Sequence, residues 1–119
     1  MTSISNIAVV IPCYNEEKRL KPDVFIDELL RNSNLTFLFV NDGSKDNTLN
    51  VIQKICAAHP SRALSLSLDK NRGKGEAVRR GMLHLSDTGL YSIIGFWDAD
   101  LAVPLPEIVR LADVFRQNP

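Results

Sequence analysis

Asp98 and Asp100 stand two residues apart at the end of the apolar run Tyr91-Ser92-Ile93-Ile94-Gly95-Phe96-Trp97. Two carboxylates so close can hold a hard divalent cation, and Mg²⁺ in particular binds through one or two carboxylates plus the phosphates of a substrate. The run is β-branched and aromatic and lacks proline, which suits a buried strand. Side chains alternate along a strand, so Asp98 and Asp100 are expected on one side and Ala99 on the other. Taken alone, Asp-x-Asp is also an ordinary way to solvate a strand end and open a turn.

Three further polar clusters gain meaning beside it: Pro12-Cys13-Tyr14-Asn15-Glu16-Glu17, Asn41-Asp42-Gly43-Ser44, and Asn71-Arg72-Gly73-Lys74-Gly75. Each suits a portion of a nucleoside diphosphate. Asp42 can accept a hydrogen bond from a base N–H, and Glu16 or Asp98 from ribose hydroxyls. Gly73 and Gly75 allow the backbone to approach a ligand closely, and Lys74 offers a point charge to phosphate. The plain alternatives are turn chemistry at Asn41-Asp42-Gly43 and a solvated lysine in a helix's first turn. A P-loop is excluded, because no Ser or Thr follows Lys74 and the earlier glycine is missing; the dinucleotide fingerprint is excluded because no glycine follows the first strand. His59, at an expected helix end, and His84, within a helix, have no Ser, Cys or second His at a telling spacing and read as surface or packing residues.

Elements that could bring these clusters together alternate along the chain. Ile7 to Ile11 is a continuous apolar run ended by Pro12, as in a central strand covered on both faces. Pro22 to Leu30 carries Phe25, Ile26, Leu29 and Leu30 behind a proline suited to a helix start. Thr36 to Val40 is a second strand, and Leu49, Ile52, Ile55 and Cys56 mark the inward stripe of a helix capped at Asp46 or Asn47. Ala63 to Leu68 is a third strand, followed by a helix with the stripe Ala77, Val78, Gly81, Met82 and Leu85. After the Asp98 segment a last helix runs along Ile108, Leu111, Ala112 and Phe115, and the chain stops at Asn118-Pro119. Strand and helix in alternation predict a parallel sheet of about four strands with helices on both faces and right-handed crossovers. In such a sheet every polar cluster lies at the carboxyl edge, where open α/β sheets bind ligands.

The 119 residues suffice for one compact domain. Hydrophobic residues make up 45% and charged ones 24%, ordinary globular usage that excludes disordered and collagen-like classes. Lys+Arg and Asp+Glu stand at 14 each, so nothing marks a nucleic-acid partner. Cys13 and Cys56 have neither metal-ligand nor disulfide-framework spacing and read as buried structural thiols of a reducing compartment. Met1 to Asn6 lacks the basic region of a signal peptide, and no stretch approaches the roughly 20 apolar residues that span a bilayer. A cytoplasmic location is expected, with any membrane contact peripheral.

Val10-Ile11-Pro12-Cys13-Tyr14-Asn15-Glu16-Glu17, Val40-Asn41-Asp42-Gly43-Ser44 and Asp98-Ala99-Asp100 resemble, in order, the nucleotide-sugar half of the inverting family-2 glycosyltransferases of GT-A fold. Asn71-Arg72-Gly73-Lys74-Gly75-Glu76-Ala77-Val78-Arg79-Arg80-Gly81 resembles more specifically the dolichyl-phosphate glucosyltransferase branch and its polyprenyl-phosphate relatives. The resemblance implies a Rossmann-like half sheet in the order third, second, first, fourth strand, with residues 1–119 as a nucleotide-sugar-binding domain truncated before the acceptor half. It implies Pro12, Tyr14, Glu16 and Asp42 around base and ribose, with Asn15, Gly43 and Ser44 also expected to bind substrate. Lys74 is expected near the nucleotide, Asp98 on the nucleotide sugar, Asn71, Gly73 and Ala99 among the substrate-binding residues, and Asp100 with Asp98 on Mg²⁺ or Mn²⁺. The implied reaction is hexosyl transfer, with UDP-glucose the favoured donor, to a polyprenyl or dolichyl phosphate at the cytoplasmic face of a membrane. The catalytic base and acceptor site fall in the absent half.

A saccharide acceptor keeps the fold and changes the product. A non-catalytic nucleotide-binding module is a third reading. A receiver domain of similar length would need an acidic pair after the first strand and a phosphoacceptor Asp after the third; Tyr14-Asn15-Glu16 and Asp69-Lys70-Asn71 fit it poorly. In the expected strand order, the uncharged fourth strand is an edge of this chain, and unpaired edges invite pairing, so a homodimer through it is expected.

Overall fold

The computed structural model describes residues 6–117; all but Asn6 of the amino-terminal stretch read for a leader, and the closing Asn118-Pro119, lie outside them. Four strands, β1 (Ile7–Cys13), β2 (Leu35–Asn41), β3 (Ala63–Ser67) and β4 (Ile93–Phe96), alternate with four helices, α1 (Pro22–Arg31), α2 (Thr48–Ala58), α3 (Lys74–Thr88) and α4 (Pro106–Gln117). The sheet is parallel in the order β3-β2-β1-β4. Fold class and strand order are those expected from the sequence.

Period-two alternation divides β1 and β2 between two cores. Ile7, Val9 and Ile11 join Phe37 and Phe39 on one face, where Phe25 and Leu29 of α1, Ile52 and Ile55 of α2, and Ile108 and Ala112 of α4 cover them. Phe25 meets Phe37 and Phe39 edge-on, with ring centroids 5.2 and 5.1 Å apart, an arrangement that aromatic quadrupoles favour. On the opposite face Ala8, Val10, Leu38 and Val40 lie under α3, through Ala77 and Leu85. Helix α3 can approach that closely because Gly81 carries no side chain. A Cβ there would come within 2.7 Å of a Val10 methyl and 3.0 Å of a Val40 methyl.

Several boundaries differ from the sequence reading, and three of them bear on the site. Strand β1 continues through Pro12 to Cys13, paired with Val40 and Asn41 of β2. Val10 accepts a hydrogen bond from Trp97 N–H on the β4 side. Pro12, two residues on, therefore turns its missing N–H to the same side, where β4 has already ended. Strand β3 stops at Ser67, one residue short of Leu68. Strand β4 is shorter still, Ile93–Phe96, because Ser92 belongs to a bend and Trp97 already leads into a turn. Asp98 and Asp100 therefore stand on that turn and not on a strand.

Candidate functional site

All four strands release their chain at one edge, and there a cleft of about 510 Å³ opens between the loops. From the end of β1 come Pro12, Cys13, Tyr14, Glu16 and Arg19; from β2, Asp42; from the β3–α3 connection, Asn71, Gly73 and Lys74; from beyond β4, Asp98, Ala99 and Asp100. The edge spans the switch point between β2 and β4 on either side of β1, where ligands of open α/β sheets lie.

The first two loops are laced together. Asn15 N–H donates to Ser44 Oγ at 3.0 Å, Lys45 N–H to Asn15 Oδ1 at 2.9 Å, and Glu16 N–H to Thr48 Oγ1 at 2.8 Å. Asn15 takes a left-handed conformation, φ 51°, which Asn tolerates better than most residues. Asn15, Gly43 and Ser44, predicted to touch ligand, are not in the cleft lining; they hold its walls. At the start of α2, of the two residues expected to cap it, Asp46 does so. Asn47, at the N-cap position, makes no side-chain cap bond, and the Asp46 carboxylate takes both Thr48 N–H, at 3.0 Å, and Thr48 Oγ–H, at 2.5 Å. Those bonds hold the Asp46 carboxyl below the usual carboxylate range, the Thr48 hydroxyl contributing most.

Glu16 is poised between two states of satisfaction. Its Oε1 accepts from Arg19 at 2.7 Å, while Oε2 is buried and accepts no hydrogen bond. A buried carboxylate oxygen without a donor is costly, and a ligand hydroxyl at this wall would relieve it. Arg19 was missed from the sequence; the only available signal was its position three residues after Glu16 in the connection before α1. Cys13 was missed as a lining residue as well, although its thiol is buried and pushed well above its ordinary pKa, first by desolvation and then by the Glu16 charge.

Across the cleft, Lys74 Nζ lies 2.5 Å from Asp98 Oδ1 and 5.8 Å from the centroid of the Phe96 ring. The second distance is within reach of a cation–π attraction. The ion pair bridges the first turn of α3 and the loop beyond β4. The turn itself is closed by Leu101 N–H to Asp98 O at 3.1 Å and by Ala102 N–H to Asp100 Oδ1 at 3.0 Å, with Leu101 at φ 57°. Ala99 is buried and its two acidic neighbours are exposed. The expected division of side chains thus holds, but turn geometry produces it where strand alternation was expected to.

The lining includes four carboxylates, Glu16, Asp42, Asp98 and Asp100, against two cations, Arg19 and Lys74. No group of three or more His, Cys, Asp or Glu side chains among the described residues is arranged to hold a metal. The donor set at Asp98 and Asp100 is nevertheless all oxygen and exposed on one wall, which fits a hard divalent cation that completes its shell with ligand phosphates and water.

The family model for glycosyl transferase family 2 matches residues 8–119. The chain is 39% identical over 116 residues to the dolichyl-phosphate beta-glucosyltransferase of Homo sapiens, covering 88% of this chain and 34% of that protein. Among solved structures, the mannosyltransferase of Pyrobaculum calidifontis in complex with GDP-Man and Mn²⁺ is 25% identical, with a TM-score of 0.59 over 83% of this chain and 28% of that one. Glucosyl-3-phosphoglycerate synthase of Mycobacterium tuberculosis in complex with UDP is 26% identical, with a TM-score of 0.62 over 89% of this chain and 38% of that one. The chain spans about a third of the length of the curated relatives it matches.

Proposed function

This chain belongs to glycosyl transferase family 2, and on that premise we propose that residues 1–119 are the donor-binding domain of an inverting glycosyltransferase. It takes a nucleoside diphosphate sugar, UDP-glucose, and serves transfer of the glucosyl group to a polyprenyl or dolichyl phosphate at the cytoplasmic face of a membrane. The relatives' names support the acceptor and the sugar. Among the described residues, no helix is long and apolar enough to cross a membrane.

One observation carries the reading: the Lys74–Asp98 bridge spans a cleft whose other wall holds the unsatisfied Glu16 oxygen. Glu16 accepts a ribose hydroxyl there. Lys74 exchanges part of its pairing with Asp98 for a phosphate oxygen, a trade that exposed pairs make readily because they are worth little in water. A diphosphate entering a cleft with more carboxylates than cations meets net repulsion, which a divalent cation at Asp98 and Asp100 removes. When bound, Mg²⁺ or Mn²⁺ supplies Lewis-acid stabilisation of the departing diphosphate. In the transfer an acceptor phosphate oxygen forms the new bond to the anomeric carbon as the bond to the diphosphate breaks. The nucleophile is already anionic, so this half of the enzyme has no base to furnish.

Calorimetric titration of the chain with UDP, GDP and UDP-glucose, in Mn²⁺ and in chelator, tests it. Binding of UDP and UDP-glucose that tightens in Mn²⁺ is expected. Equal affinity in metal and chelator removes the cation from the site; preference for GDP overturns the choice of base.

A further inference from the structure

We infer that Trp97 is the positioning residue of the turn that carries Asp98 and Asp100: its indole N–H clips the turn shut, and the clip sets the spacing at which the two carboxylates meet a divalent cation. This inference rests on the donor-binding reading of the cleft. Strand β4 ends at Phe96, and the last tie to the sheet is Trp97 N–H to Val10 O at 2.9 Å. Asp98 and Asp100 lie past it, yet a pair of ligands must be held to within about 0.5 Å to present a fixed site. The indole Nε1–H of Trp97 supplies the missing tie by donating to Val103 O at 2.7 Å, six residues on. The turn is thereby anchored at both ends, at Trp97 by β1 and at Val103 by the indole.

Inside that clip the side chains divide by position. Trp97 and Leu101 pack against the core under α1, α2 and α4, and Ala99 is buried in it, while Asp98 and Asp100 are exposed and line the cleft. Leu101 is held at φ 57°, a conformation that costs a bulky residue energy and persists only where its surroundings over-determine it. Leu101 N–H to Asp98 O and Ala102 N–H to Asp100 Oδ1 both lie between the anchored ends. Release of Val103 would let the strain at Leu101 relax and would loosen both bonds, and with them the two carboxylates. A phenylalanine at position 97 keeps a ring against the core and loses the donor, because only the indole carries an N–H.

The test compares the 119-residue chain with Trp97→Phe and with Val103→Ala, which trims a side chain but keeps the carbonyl that accepts the indole bond. UDP is titrated calorimetrically in Mn²⁺ and in chelator. Trp97→Phe should leave UDP affinity in chelator unchanged and reduce the tightening by Mn²⁺ about tenfold, the scale on which groups that orient metal ligands act. Val103→Ala should change neither. Amide hydrogen exchange at Leu101 and Ala102 should rise in Trp97→Phe alone while β1 amides stay protected, which separates an opened turn from an unfolded chain. Full tightening in Trp97→Phe would overturn the proposal, as would unchanged exchange at Leu101 and Ala102, or a loss in Val103→Ala equal to that in Trp97→Phe. A parent chain whose UDP affinity ignores Mn²⁺ overturns the cation reading instead, and the exchange rates then still decide whether the indole holds the turn.

Discussion

At the scale of single residues, the site separates groups free to meet a ligand from groups already committed to the protein. Asp100 belongs to the first kind: it is exposed, and among the described residues its carboxylate takes only the Ala102 N–H. Asp100→Ala should therefore cost no more than about 1 kcal/mol of stability. Nucleotide affinity in Mn²⁺ should fall to its value in chelator, as calorimetry in both conditions will show; tightening by Mn²⁺ that survives the substitution rejects Asp100 as a ligand. Cys13 is of the second kind. Its thiol is held protonated by burial, and the thiolate is the reactive form. Alkylation by iodoacetamide at pH 8 should therefore be negligible in the folded chain and rapid only in denaturant. Cys56, half-buried and raised in the same direction by desolvation, should react slowly as well.

At the scale of elements, α3 carries the most testable packing. Gly81→Ala improves intrinsic helix propensity by about 1 kcal/mol. Yet the added methyl group meets a Val10 methyl at a separation real contacts do not reach, and a Val40 methyl at one that few reach. Overpacking of this kind costs about 1–3 kcal/mol, so the variant should be less stable in urea denaturation, by about 1 kcal/mol net. Further toward the amino end, Glu76 bonds both Arg79 and Arg80, which lowers its carboxyl to a pKa of about 2, the Arg79 bond contributing most. A folded-state pKa below the unfolded one means that the unfolded chain binds more protons in the interval between them. The contribution of Glu76 is therefore fully present above about pH 4.5 and is lost as the pH falls toward about 2. The difference in stability between the parent chain and Glu76→Gln should shrink to nothing across that interval; a pH-independent difference rejects the pairing.

For the whole molecule, the consequential feature is the edge at β4. Among the described residues strand β4 pairs only with β1, and beside it α4 leaves an apolar cleft of about 300 Å³ lined by Ile93, Phe96, Leu111 and Phe115 among others. Phe115 is 67% exposed and Phe96 50%. An uncharged edge next to exposed aromatic side chains favours association, so the chain should sediment with a concentration-dependent mass. Phe115→Lys should shift it toward monomer with little change in stability. A monomer for the parent chain well above micromolar concentration would show that the edge is blunted by the shortness of β4.

The sequence by itself determined the alternation of strands and helices, the parallel order and the edge at which chemistry gathers. Apolar runs such as Ile7 to Ile11 and stripe residues such as Phe25 and Leu29 report burial directly, although Leu30, expected on the same stripe, is exposed, and parallel connectivity then places every polar cluster at carboxyl ends. Family membership was legible for the same reason, since its motifs are those clusters. What the tertiary structure decided is the division of labour among them. Asn15 and Ser44 bond each other across 29 positions, Asp42 bonds residues 71–73, and Lys74 reaches Asp98 across 24. Such partners depend on how two loops meet in space, and no local spacing encodes that. The turn at Asp98 was equally hidden. Trp97 carries strand propensity, while its indole N–H donates to Val103 O at 2.7 Å, in the segment that leads into α4. That bond folds the chain back on itself just where a strand reading would have run on.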